Sequence, residues 1–325
     1  EVRSLQLHVV RAGTVTEVKD SPATNTFTYT LNKGTNADNY EITKTEGKLT
    51  VTPVKDTVTV TITESSGTAT YDGTEHEVTG YTVTSISNNL YKKGDFTFNG
   101  TAEVKGTNAG TYNMELKASD FTNNNTNFAE VKFVIVDGTL TISKREVTLT
   151  SGSDKKVYDG TALTKNEVKV SGDGFADGEG ATYEVTGSQK EVGKSKNKFT
   201  YELNNNTKAI NYTITTAEGE LEVTPVTAKV TVTITGHTAE AKYDGKEHTA
   251  EGYDVSISNT LYTANDFNFT GTDSVTKTDA DTYAMGLKAA DFTNTSKNFK
   301  DVEFVVIDGS LTISKRSVTL TSELS

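Results

Sequence analysis

The side chains best suited to chemistry in this sequence are four histidines, His8, His76, His237 and His248. A zinc site needs several ligands converging at about 2 Å. Here each histidine stands alone, His76 beside Glu75 and His248 beside Glu247, in a chain without cysteine. Such residues are expected to be turn histidines facing water. Motifs for a nucleophilic serine, for paired zinc-binding histidines and for a phosphate-cradling glycine loop are absent. The sequence offers no catalytic, cofactor-binding or metal-ligating residue, so the chain is expected not to be an enzyme and to use no cofactor.

Three weaker chemistries remain. Asp120-Phe121-Thr122-Asn123-Asn124-Asn125 and Asp291-Phe292-Thr293-Asn294 carry the hard oxygen ligands that calcium takes. Neither has the Asp-x-Asp-x-Asp-Gly spacing of a calcium loop, and Asn and Asp are ordinary turn formers. An intramolecular Lys–Asn isopeptide bond would suit a cysteine-free chain that resists force. It needs Lys, Asn and an acid buried together, a trio that sequence alone does not single out. Tyr81, Tyr91, Phe96 and Phe98 are candidates for stacking on sugars, but their alternation with polar residues assigns them to a core.

The elements that would position these groups are strands. Thr57-Val58-Thr59-Val60-Thr61-Ile62-Thr63 and Lys229-Val230-Thr231-Val232-Thr233-Ile234-Thr235 have the period of two that half-buried strands show, with Thr toward water and Val/Ile toward a core. Phe133-Val134-Ile135-Val136, Asp137-Gly138 and Thr139-Leu140-Thr141-Ile142 read as a tight hairpin, because Asp-Gly supplies the positive φ angles of a type I′ turn. Residues 304–313 repeat it around Asp308-Gly309. A longer-looped hairpin is expected over 211–223, with a copy at 39–51. Only residues 114–121 and 285–292 have a pattern compatible with a helix, and an alternating strand ending in a turn fits them equally.

The chain is internally duplicated. Phe27, Tyr29, Tyr40, Gly47, Leu49 and Pro53 recur as Phe199, Tyr201, Tyr212, Gly219, Leu221 and Pro225, an offset of 172, which becomes 171 from Asp95/Asp266 to Lys144/Lys315. Two kinds of module alternate: residues 1–53 as the C-terminal part of a short type, 54–144 long, 145–225 short, 226–316 long, and 317–325 as the first strand of a following short type. At Val51-Thr52-Pro53-Val54-Lys55 and Val223-Thr224-Pro225-Val226-Thr227 strand is expected to run into strand with no flexible spacer. Stiff joints would make a rod on the order of 100 Å or more.

Composition sets the outer bounds. The 325 residues exceed what one core usually supports. A formal charge of −12 disfavours nucleic acid and anionic membranes as partners. No apolar run reaches the roughly 18–20 residues of a membrane span, and Glu1-Val2-Arg3-Ser4 lacks the apolar core of a signal peptide. Any export or anchoring signal is expected outside this segment.

The Tyr-Asp-Gly-Thr at 71–74 and 158–161, the Asn108-Ala109-Gly110-Thr111-Tyr112 stretch and the closing Gly-x-Leu-Thr-Ile at 138–142 and 309–313 resemble the MBG/YDG-type repeats of large bacterial surface adhesins. The second long copy departs from that pattern, with Asp279-Ala280-Asp281 before Thr282-Tyr283. The resemblance implies a mainly β chain of tandem β-grasp-like or sandwich-like modules forming an elongated rod, outside the cell at a bacterial surface. The expected function is a wall-attached or secreted adhesin stalk that projects a distal binding domain. Alternatively the repeats themselves bind host glycans or matrix proteins with multivalent avidity. Expected partners are the adjacent repeats, a host glycan or protein, and other copies through strand exchange in which residues 317–322 complete the broken module at 1–53.

Overall fold

The computed structural model describes residues 7–322; the Glu1-Val2-Arg3-Ser4 start and the last three residues of the 317–325 segment lie outside the described residues. The chain is mainly β, with strands in small sheets of two or three and helical structure limited, among the described residues, to seven three-residue 3-10 turns. Two compact units are present. The first holds the chain through Arg145 together with Phe175–Gly178 and Lys208–Thr213; the second holds Glu146–Gly174, Glu179–Thr207 and the chain from Ile214 onward.

In the first unit the alternating Thr/Val segment forms the strand Val58–Glu64. Val58, Val60 and Ile62 are buried beneath it, and Thr63 and Thr84 join hydroxyls at 3.0 Å on its outer face. Burial of each such aliphatic side chain stabilises by about 1.5–3 kcal/mol. This strand lies between antiparallel Tyr81–Ile86 and parallel Val131–Val136. The chain then crosses into a second sheet, in which Gly67–Thr70 pairs in parallel with Thr139–Ser143, itself bordered by Gly110–Asn113. Two ribbons, 58–70 and 131–143, therefore run side by side in the same direction through both sheets.

This arrangement corrects the expected hairpins. Val131–Val136 and Thr139–Ser143 belong to different sheets, and Asp137-Gly138 carries the chain across rather than back. Gly138 and Gly309 are outside the left-handed region that a type I′ turn requires. What demands glycine is space: a Cβ on Gly138 would lie 2.2 Å from the Ser65 carbonyl oxygen, and one on Gly309 2.4 Å from the His237 carbonyl oxygen. The same holds at 211–223, where Tyr212–Ala217 and Gly219–Thr224 lie in separate sheets and Gly219 closes on Ser151 and Gly152. In the copy at 39–51 the strand is confined to Gly47–Leu49, paired with Ala23–Asn25. Nor does strand run directly into strand at the junctions. Between Leu49 and Val58, and between Thr224 and Val230, the ladder is a single bridge, Val54 to Phe128 and Val226 to Phe299. The ambiguous stretch at 114–121 is a 3-10 turn, Ala118–Asp120, leading into the strand Phe121–Asn123.

The second unit repeats the plan. Val230–Gly236 and Thr238–Lys242 run parallel to Val302–Ile307 and Ser310–Ser314, and Asp154–Val157 runs parallel to Gly219–Thr224. Beneath the long repeat Tyr253, Phe267, Phe269, Phe292 and Phe304 interlock, ring centroids 4.7–5.9 Å apart. Tyr81, Phe96, Phe98, Phe121 and Phe133 do the same in the first unit.

The crossing glycines give a direct check. Gly138→Ala is expected to destabilise the chain by about 1–3 kcal/mol or more, because its methyl group must displace backbone. Gly94→Ala, where nothing lies within 4 Å, should leave the denaturant midpoint unchanged.

Candidate functional site

The repeated Tyr-Asp-Gly segments are fastened turns. Gly73, Gly160 and Gly245 have φ of 88°, 78° and 81°, a conformation that glycine adopts without strain. The aspartate before each glycine accepts hydrogen bonds from residues further on. Asp72 takes the Thr74 N–H at 2.8 Å, its hydroxyl at 2.7 Å, and His76 Nε2 at 3.0 Å. Asp244 takes the Lys246 N–H at 2.9 Å and His248 Nε2 at 3.0 Å. At Asp159 the histidine is replaced by Lys156 Nζ at 2.7 Å. The Thr74 N–H lowers the Asp72 carboxyl below its ordinary value, and Lys156 does so at Asp159. His76 and His248 are therefore turn ties.

The asparagine-rich loops are ladders of side-chain amides that lead from the core to a joint. Tyr91, buried against Phe128 with ring centroids 5.2 Å apart, donates its hydroxyl to Asn123 Oδ1 at 2.9 Å. Asn123 Oδ1 also accepts the Asn125 N–H at 3.0 Å, and Asn125 Oδ1 accepts the Asn127 N–H at 2.9 Å. Asn127 ends the ladder. Its Oδ1 takes the Val18 N–H at 2.8 Å, its Nδ2 donates to Glu17 Oε2, and its backbone oxygen takes the Val54 N–H at 2.8 Å. One asparagine thus ties the preceding short segment, the linker after Pro53 and the long repeat together.

The second unit builds the same joint from equivalent residues. Tyr262 donates to Asn294 Oδ1 at 3.0 Å, and Asn294 Oδ1 accepts the Ser296 N–H. Asn298 Oδ1 accepts the Val192 N–H at 3.0 Å, its Nδ2 donates to Glu191 Oε2, and its backbone oxygen takes the Val226 N–H at 2.8 Å. Here Tyr158 fills the remaining space, its ring 5.8 Å from Phe299. Burial raises the Tyr158 hydroxyl above its ordinary value, and the Glu191 and Asp266 carboxylates add to the shift. A cleft of about 550 Å³ lies at the first joint, bordered by Val18, Val54, Leu90, Asp95 and Phe128.

Sequence reading missed Glu17, Asn127, Glu191 and Asn298, although Asn127-Phe128 and Asn298-Phe299 recur at the offset of 171. Of the four aromatics it assigned to a core, Tyr91 is buried, while Tyr81, Phe96 and Phe98 are half-buried and pack against other rings. The buried asparagines hold backbone: Asn197 Nδ2 donates to the Gly152 and Lys165 carbonyls at 2.8 and 2.9 Å, and Asn211 Oδ1 accepts the Ala109 N–H at 2.8 Å. Asp120 and Asp291 cap their own 3-10 turns through the Lys117 and Lys288 N–H groups. Among the described residues no three His, Cys, Asp or Glu side chains gather as a metal site would require, and no helix is long and apolar enough to cross a membrane.

Two predictions follow the ladder. Asn298→Ala should remove hydrogen-exchange protection from the Val192 amide and cost about 1–3 kcal/mol, while amides of Val230–Gly236 keep their protection. Burial, with Asp95 and Asp266 adding, pushes the Tyr91 and Tyr262 hydroxyls up to about 12. An unfolded tyrosine ionises near pH 10. Between about pH 10 and 12 the unfolded chain binds fewer protons than the folded one, so stability should fall as pH rises through that window. Tyr91→Phe with Tyr262→Phe should flatten this decline in denaturant midpoints measured across it.

No curated protein matches the chain. The family resemblance read from the sequence holds for the first long repeat: residues 57–144, which end the ladder at Asn127, match the MBG domain, a module that occurs in tandem in surface proteins.

Proposed function

We propose that this chain is a non-enzymatic stalk segment of a bacterial surface adhesin, carrying tension between the cell and a distal binding domain. The observation that carries the reading is the parallel pairing of the first and last ribbons of each long repeat. Val58–Glu64 pairs with Val131–Val136 over six positions, and Gly67–Thr70 with Thr139–Ser143 over four. Chain enters at the start of one ribbon and leaves at the end of its parallel neighbour. Tension between those ends slides the ribbons past each other, so the ladder hydrogen bonds share the load instead of opening one at a time.

The Asn127 and Asn298 joints support the same reading, since each ties a long repeat to the segment before it by side-chain and backbone bonds together. The match to a domain found in tandem in surface proteins agrees with a location outside the cell. A glycan-binding role for the repeats has less support, because the aromatics that would stack on sugar are packed against one another in the core.

Pulling the full chain by its ends tests the proposal. Each long repeat should resist as a unit and then give way in one step, releasing roughly 250 Å for the residues from 58 to 143, their extended length less the span of the folded ribbons. Gradual extension at the low force of an unzipping hairpin would overturn it.

A further inference from the structure

Both long repeats keep a glycine just past the strand that carries two of their clustered phenylalanines, Phe96–Phe98 in the first and Phe267–Phe269 in the second. Space requires it. A Cβ on Gly100 would lie 2.9 Å from the Phe98 ring and 3.1 Å from the Asp120 Cβ, and one on Gly271 would lie 2.8 Å from both the Phe269 ring and the Asp291 carboxylate. The residue before that glycine differs between the copies, Asn99 in the first and Thr270 in the second.

Asn99-Gly100 is the one Asn-Gly pair in the sequence. In any asparagine the carboxamide carbon is one bond short of a five-membered ring with the next backbone nitrogen. Glycine, without a Cβ, leaves that nitrogen unshielded.

At the asparagines that hold the structure together, the following nitrogen is occupied. The N–H after Asn123 donates to the Asp95 carbonyl at 2.8 Å, and that after Asn127 to the Asn125 carbonyl at 3.3 Å. After Asn197 the acceptor is the Lys196 carbonyl at 3.0 Å, and after Asn294 the Asp266 carbonyl at 2.8 Å. Gly100 is different. Its N–H makes no hydrogen bond among the described residues, and both Asn99 and Gly100 are exposed. Asn99 itself is anchored to the neighbouring strand, its N–H on the Asp120 carbonyl at 2.8 Å and its Nδ2 on Thr122 Oγ1 at 3.2 Å.

We propose that Asn99-Gly100 is a self-modification site, at which the first long repeat ages by deamidation and the second does not. The Gly100 nitrogen loses its proton and attacks Asn99 Cγ. As that N–C bond forms, the bond from Cγ to Nδ2 breaks, and the amide leaves with the proton as ammonia. Water then opens the cyclic imide. Breaking the Cγ–N bond leaves an aspartate in an ordinary backbone, while breaking the bond from the main-chain carbonyl to nitrogen leaves an isoaspartyl link that runs through Cγ and lengthens the backbone by one carbon. Either product replaces the donor to Thr122 with a carboxylate. The longer link also falls directly after Phe98, whose ring is 4.9 Å from that of Phe121, where Gly100 has no room for an added carbon. The modification does not depend on the stalk reading.

Mass-spectrometric peptide mapping of the full chain, held folded in mildly alkaline buffer and sampled over time, tests the proposal. The Asn99 peptide should gain the mass of an amide becoming an acid before any other asparagine peptide does. Part of the product should accept a methyl group from an isoaspartyl methyltransferase, and in heavy-oxygen water each converted chain should take up one labelled oxygen. Asn99→Thr, which puts the second copy's residue at an exposed position, should abolish the conversion and leave the fold intact. A chain unfolded in guanidinium serves as the reference. An Asn99 that stays an amide in the folded chain while it converts in the unfolded one, earlier conversion at another asparagine, or a product that is aspartate alone would overturn the proposal.

Discussion

Everything else in each long repeat is arranged around one constraint, the parallel pairing of its first and last ribbons. Parallel neighbours cannot be joined by a tight turn, so the rest of the repeat must lie between them in sequence. In the first unit that intervening chain supplies Tyr81–Ile86 to flank one sheet and Gly110–Asn113 to flank the other. It also supplies the aromatic cluster, with Phe96 edge-on and Phe98 tilted against Phe121 beneath the ribbons. The ribbons shift from one sheet to the other at the same level, between Glu64 and Gly67 and between Val136 and Thr139. Backbones approach closely there, which fixes glycine at 138 and 309.

Asparagine is the residue that this architecture uses to join its parts. A side-chain amide both donates and accepts without a charge, so it can satisfy backbone groups at half-buried places without the desolvation cost of an ion. Asn127 and Asn298 each use both functions, accepting a valine N–H and donating to a glutamate. The glutamate end is at the rim, where water stabilises its charge. Because one asparagine grips linker and preceding segment together, a joint cannot open at the linker without also losing the side-chain bonds. Proline one residue before Val54 and Val226 limits the linker's freedom in the same place.

Much of this was legible in the sequence, and the misses share a cause. The Thr/Val alternation identified Val58–Glu64 and Val230–Gly236, and the offset of 172 identified which residues must play equal parts. Periodicity reports which face of a strand is buried, but not which strand lies beside it. Asp137-Gly138 therefore looked like a reversal, when the same dipeptide also serves where a strand leaves one sheet for another. The joint asparagines escaped for a different reason. Asn123, Asn125 and Asn127 look like turn formers because they are turn formers; that Asn127 also reaches Glu17 and Val18 depends on a contact across 109 or more residues of chain.

The two long copies show which of these details the fold requires. Where the ribbons change sheets, the N–H of Leu116 or Leu287 faces inward and must be satisfied. In the first copy Glu64, 4% exposed, does so at 2.6 Å and also takes the Gly138 N–H at 2.6 Å. In the second copy Gly236 holds the place of Glu64, and a Cβ there would lie 2.4 Å from the Gly309 nitrogen. The task passes to Asp308, which accepts the Leu287 N–H at 2.9 Å and the Gly286 N–H at 2.9 and 3.0 Å. The residue before each leucine keeps a left-handed backbone, with φ of 63° at Glu115 and 95° at Gly286. Two different carboxylates, entering from different ribbons, thus close one backbone arrangement. Both copies place a carboxylate at the crossing, where the ladder is interrupted, although it comes from Glu64 in one and Asp308 in the other.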